Sequence, residues 1–192
     1  MVRKHITDDN EEVEVLCVPW FPQQEESFYC FPYSVWMVLE YFKNVYNNKI
    51  IKKKIPNMNV EEIAKICRTD KSSGTRINDD LIRTLNDKVE PLHFELKIDT
   101  KFKDIKKHIG AKLPCIVLYD CGYLLYNIPS KVGHAGVVIS IDKNQVFLNN
   151  PWLGAEVPID LPDFNDAWEI EYKPAIFIKP NPQTKLNDEN AK

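Results

Sequence analysis

The sequence predicts an α+β domain in which a helical first half packs on a mainly antiparallel sheet. Three observations carry that expectation: the first half holds apolar runs behind helix-capping residues, the second half reads mostly as strand-length blocks, and a tight-turn signal joins two of those blocks. At 192 residues the chain fits one domain, a size able to bury roughly 70% of its unfolded surface without covalent staples. Apolar residues at 44% and charged residues at 28% are ordinary globular composition. The expected boundaries are a flexible N-terminus over 1–12, the domain over 13–180 and a disordered polar tail over 181–192.

The first helix runs from Pro32 to about Asn44. Its residues Val35, Trp36, Met37, Val38, Leu39, Tyr41 and Phe42 are apolar on nearly every side, with Glu40 the only charge before Lys43, so it belongs inside the protein. The Lys49, Lys52, Lys53, Lys54 cluster sits in an Asn-rich connection and reads as a solvated loop. A second helix follows from Val60 to Arg68 behind an Asn59/Glu62 capping arrangement, and a third from Asp79 to Asn86 behind Asn78. Residues 72–76, SSGTR, form a loop between them.

Residues 92–98 alternate as a strand does, and a short helix from Lys101 to Ile109 stops at Gly110. The blocks PCIVLY, HAGVVISI and QVFLNN are strands, the last two joined by a turn at Asp142-Lys143-Asn144. His134 and Asn150 are thereby expected on adjacent antiparallel strands, near opposite one another on one face, with Asn149 pointing to the other face.

Several function classes find no support. A net charge of −3 argues against a nucleic-acid partner. No GxxxxGK or GxGxxG occurs, no cysteine pair is spaced for a metal and there is no HExxH, so neither cofactor nor metal is expected. The five cysteines, at 17, 30, 67, 115 and 121, form no CxxC and read as reduced thiols. The N-terminus turns acidic where a signal peptide would be apolar, and no run of eighteen apolar residues exists, which predicts a cytoplasmic protein without a membrane partner.

The candidate chemistry lies in Gln24, Cys30, His134 and Asn150. Five residues separate the glutamine from the cysteine, and fifteen separate the histidine from the asparagine. A cysteine nucleophile needs a base, a group that orients the base, and a donor for the oxyanion. With Pro32 in the first helical turn, Cys30 falls at or just before the helix N-terminus, where the dipole favours a thiolate. His134 stands between Gly133 and Ala135, small neighbours that leave an imidazole reachable, whereas His93 and His108 read as surface residues and His5 as part of the loose terminus.

The run VPWFPQQEESFYCFPYSVWMVLEYF resembles the start of the papain-like cysteine peptidases, and most closely the group of leader-processing peptidase domains of bacteriocin exporters. VGHAGVVISIDKNQVFLNNPW is similar to the family's His strand, turn and third-member strand, and DFNDAWEIEYKPAIFI to its closing piece. The resemblance implies Cys30 as nucleophile, His134 as general base, Asn150 as orienting residue and Gln24 in the oxyanion hole. It implies a peptide or protein substrate. Phe31 and Asn150 stand where the exporter group usually has Gly and Asp, as in papain's version of the site. The other classes compatible with these residues are a silent peptide-binding module of the same fold and a thiol acyltransferase, that is a transglutaminase, deamidase or ligase.

Overall fold

The computed structural model describes residues 1–6, 12–24, 28–130 and 132–182. A two-stranded hairpin, β1 (Val2–Ile6) with β2 (Glu12–Leu16), precedes the helical half. That half holds α1 (Cys30–Glu40), extended by a π-helical turn over Tyr41–Val45, then α2 (Lys49–Lys54), α3 (Val60–Ile66) and α4 (Asp79–Lys88). The second half interleaves β3 (Leu92–Lys97), α5 (Phe102–Gly110), β4 (Cys115–Asp120), α6 (Cys121–Tyr126), β5 (Gly133–Ile141), β6 (Gln145–Asn150), β7 (Gly154–Asp160), α7 (Leu161–Glu169) and β8 (Ala175–Pro180). Strands three to eight form one sheet in the order β3-β8-β4-β5-β6-β7, every pairing antiparallel. The α+β architecture predicted from sequence is the one observed.

Local chemistry sets two helix starts and one turn. Asn59 accepts from the Glu62 N–H at 2.9 Å while the Glu62 carboxylate accepts from the Asn59 N–H at 2.9 Å, a reciprocal cap that starts α3. Asn78 accepts from the Leu81 N–H at 2.9 Å and starts α4. At the β5–β6 turn, Asp142 Oδ1 accepts from the N–H groups of Asn144 and Gln145 at 2.7 and 2.6 Å.

Two expectations are corrected. Residues 2–6, read as part of a loose terminus, are a paired strand, and the lysine-rich connection contains a helix, because Asn48 accepts from the Ile50 and Ile51 N–H groups and Ile51 is fully buried beneath it. The rest of the terminus, residues 7–11, and the tail from 183 onward lie outside the described residues.

α1 packs on β5 and also touches β4, β6 and α3. Val35, Met37 and Val38 are fully buried, as the sequence pattern required. β5 is buried from His134 to Ser140 without alternation, so both its faces are covered. α7 packs against β4, β6 and β7, where Phe164 and Trp168 meet Phe102 of α5 and Phe164 meets Tyr119 of β4. The helix that begins with Cys30 and the strand that begins beside His134 therefore form the centre of the fold.

Candidate active site

Cys30 is the first residue of α1. Tyr29 supplies no side-chain cap and Pro32 has no N–H, so α1 opens without a side-chain partner for its first donors. Burial pushes the thiol up from its ordinary value, opposed by the N–H groups of Ala135, Phe31 and Cys30. The expected helix-start donors are present, but desolvation outweighs them. Left to itself the thiol stays neutral.

His134 is 7% exposed and faces Tyr119 across the β4–β5 pairing, the two rings edge to face at 5.6 Å. Burial pulls its imidazole below the ordinary histidine value, opposed by its bond to Asn150. That bond joins His134 Nε2 to Asn150 Oδ1 at 2.9 Å. The same Oδ1 accepts from the N–H groups of Trp152 and Leu153 at 2.8 and 3.0 Å, while Asn150 Nδ2 donates to the Tyr119 hydroxyl at 2.7 Å. Two backbone donors fix which end of the amide is oxygen. Nε2 must then carry the proton it donates, which leaves Nδ1 as the basic nitrogen of the neutral ring.

A bulge makes this bond possible. Near the turn Ile141 pairs with Val146 and Ser140 with Phe147, a register that would set Asn150 across from Val137, on the face away from His134. Between Val138 and Ser140 the register shifts by one, so that Val137 pairs with Asn149 and the position across from Asn150 becomes Gly136. A one-residue slip exchanges the faces of a strand. Asn150 thus reaches His134 on the diagonal rather than from directly opposite, which corrects the expected straight pairing.

Asn149 turns the other way. Its Nδ2 donates to the Val18 carbonyl at 2.9 Å and its Oδ1 accepts from the Glu156 N–H at 3.0 Å. Trp20 Nε1 donates to the Asn150 carbonyl at 2.8 Å, and the Gln23 N–H donates to the Pro151 carbonyl at 2.8 Å. Three bonds therefore stitch residues 18–23 to the end of β6, and through this strap the chain enters α1 beside the histidine.

Cys30 and His134 line one cavity of about 530 Å³, together with Phe28, the Ser73–Thr75 loop and Glu171. Gln24 is exposed and does not line it; the next residues, 25–27, lie outside the described part. Cys67, Cys115 and Cys121 are buried, and burial pushes their thiols well up, those of Cys67 and Cys121 to about 12 and about 11. Among the described residues no group of three histidine, cysteine or acidic side chains could hold a metal ion, and no helix is long and apolar enough to cross a membrane.

The model of the peptidase C39-like family matches residues 15–176. The chain belongs to that family. Its fold is that of solved C39 peptidases. A structure described as that of a C39-like peptidase from Bacillus anthracis superposes with a TM-score of 0.62 at 15% identity, covering 89% of this chain and 99% of the other. A double-glycine-motif protease from an AMS/PCAT transporter, in complex with the leader peptide, gives 0.60 at 18% identity, covering 87% and 94%. The peptidase domain of Streptococcus ComA, a bifunctional ABC transporter, gives 0.57 at 19%, covering 85% and 99%. No curated protein matches this C39-like chain in sequence.

Sequence reasoning missed Tyr119, whose only sign was its place in the PCIVLY strand. It missed the Ser73–Thr75 loop as a cavity wall, which nothing short of the fold could show. It also misjudged His108, whose Nε2 lies 3.0 Å from the Ile178 carbonyl with its ring edge-on to Phe177; burial holds this imidazole down to about 4.

Proposed function

We propose that this C39-like chain is a cysteine peptidase that cleaves peptide bonds with Cys30 as nucleophile, His134 as general base and Asn150 as the residue that orients the base. The observation that carries the reading is that Cys30 and His134 share one cavity while Asn150 occupies the far nitrogen of the imidazole. In the neutral pair, Nδ1 takes the proton from the Cys30 sulfur as a substrate carbonyl arrives. The thiolate attacks the carbonyl carbon, and the negative charge that moves to oxygen is met by the Cys30 backbone N–H; for the Gln24 amide to join it, that exposed side chain has to turn towards the cavity. The imidazolium gives its proton to the amine nitrogen as the C–N bond breaks, leaving a thioester. Water then attacks the thioester with His134 again taking the proton, and the acid product leaves.

Burial of both groups disfavours separated charge, so the ion pair forms only as a couple, each charge stabilising the other. Asn150 holds the ring without adding a negative charge beside it.

Membership in the C39-like family and the neighbour solved with a leader peptide both support a peptide or protein substrate. The second reading, a binding module of the same fold, is favoured by one observation, the exposure of Gln24 away from the cavity. A mixed decapeptide library incubated with the wild type and with Cys30→Ala, followed by mass spectrometry, separates the two. Cleavage that disappears in Cys30→Ala supports the peptidase; peptides retained by both proteins without new termini support the module.

A further inference from the structure

Among the described residues, the cavity beside Cys30 has a mixed lining in which apolar side chains predominate and one carboxylate side chain takes part. Phe28, Ile77, Leu96, Ile98, Leu118 and Pro174 are among its apolar lining residues. Its hydroxyls are committed elsewhere: Ser73 Oγ donates to Asp70 Oδ1 at 3.0 Å, and the Thr75 and Thr69 hydroxyls bond to each other at 2.7 Å. Among the described residues Glu171 is the single charged side chain in the lining, and its carboxylate has no hydrogen-bond or ion-pair partner there. The nearby Lys173 pairs instead with Glu169 at 3.3 Å.

The turn that carries Glu171 is held in place. Its backbone N–H donates to the Trp168 carbonyl at 3.2 Å, and the next two residues, Tyr172 and Lys173, take left-handed conformations with φ of 61° and 52°. Their carbonyls accept from the N–H groups of Asp99 and Thr100 at 3.0 and 3.2 Å. Those bonds tie the turn to the segment that brings Ile98 to the cavity. Glu171 is therefore mounted on a fixed turn in the cavity's lining, with no cation paired to it among the described residues.

We propose that this cavity receives a lysine or arginine side chain of the substrate, its aliphatic stem along the apolar walls and its cationic head on Glu171. The proposal rests on the peptidase reading above and names its substrate class. A long basic side chain is the group that satisfies both features at once, since its methylenes cover apolar surface while its head stays polar. A neutral apolar side chain would desolvate Glu171 without a partner, and an acidic one would meet like charge.

The test uses a positional-scanning decapeptide library in which lysine, norleucine or glutamate occupies each position in turn, with kcat/KM read for each member. For wild type, one position shows lysine ahead of norleucine by at least about tenfold, the size of one charge-assisted hydrogen bond. In Glu171→Gln that ratio falls to near one, and in Glu171→Lys glutamate overtakes lysine at the same position. The charge reversal needs a folded, active variant and so cannot arise from unfolding. A lysine preference unchanged in Glu171→Gln, or no preference at any position, overturns the proposal while leaving the peptidase reading intact. If wild type cleaves nothing, the peptidase reading has failed, and affinities of the same peptides for Cys30→Ala decide this one: loss of a lysine preference on Glu171→Gln upholds it, and equal affinities overturn it.

Discussion

Tyr119→Phe isolates the outermost member of the hydrogen-bonded chain behind His134. The substitution keeps the ring, its edge-to-face contact with His134 and its contact with Phe164, and deletes only a hydroxyl with no solvent exposure. That hydroxyl accepts the 2.7 Å bond from Asn150 Nδ2. The amide cannot turn over to find another partner, because its oxygen is held by Trp152, Leu153 and His134. A buried N–H left without an acceptor costs about 1–3 kcal/mol. For a domain of this size that corresponds to a loss of about 2–12 °C in Tm. Urea denaturation of wild type, Tyr119→Phe, Asn150→Ala and the double variant measures both the cost and its origin. The double variant should lose less than the sum of the singles, since removing the donor removes the reason for the hydroxyl. A Tyr119→Phe change under about 0.5 kcal/mol, or strict additivity, refutes the reasoning.

Other expectations follow from single features. Ser34 is fully buried in α1 with a hydroxyl that finds no partner among the described residues, so Ser34→Ala should be neutral or stabilising by up to about 1 kcal/mol in the same denaturation experiment. A Cβ on Gly122 would lie 2.3 Å from Ser130 Cβ, an atom fixed to the backbone, so Gly122→Ala should destabilise by about 1–3 kcal/mol and loosen the segment leading to His134. His108 holds its pKa at about 4 in the fold against an ordinary 6.5. Its contribution to stability is therefore complete above 6.5 and is lost as pH falls towards 4, because the unfolded chain binds the proton first. His134 is lowered as well and acts in the same sense. His108→Gln should flatten the fall in unfolding free energy between those pH values.

Much of the architecture was legible because it is written in local chemistry. The caps at Asn59 and Asn78, the turn at Asp142 and the all-round apolar pattern of α1 each act within a few residues, and each fixed an element close to its observed bounds. α2 escaped because its one fully buried side chain, Ile51, lies among lysines that resemble a solvated connection. His108 was misread because its burial depends on β8, a strand some 70 residues away. The bulge in β5 was invisible for the same reason: nothing in GVVIS announces the extra residue, yet it sets the face on which Asn150 appears. Spacing could nominate Cys30, His134 and Asn150, but the cavity that Cys30 and His134 share and the Tyr119 hydroxyl behind the asparagine are properties of the folded sheet.

The pH dependence of Cys30 alkylation, mapped by peptide mass spectrometry in wild type and His134→Ala, tests the central claim most directly. With His134 in place, Cys30 should react with iodoacetamide at pH near 6 well ahead of Cys17, Cys67, Cys115 and Cys121. Without it, burial alone governs the thiol, and reactivity should rise only above the ordinary cysteine value of 9.0. Identical Cys30 profiles in the two proteins would contradict the account.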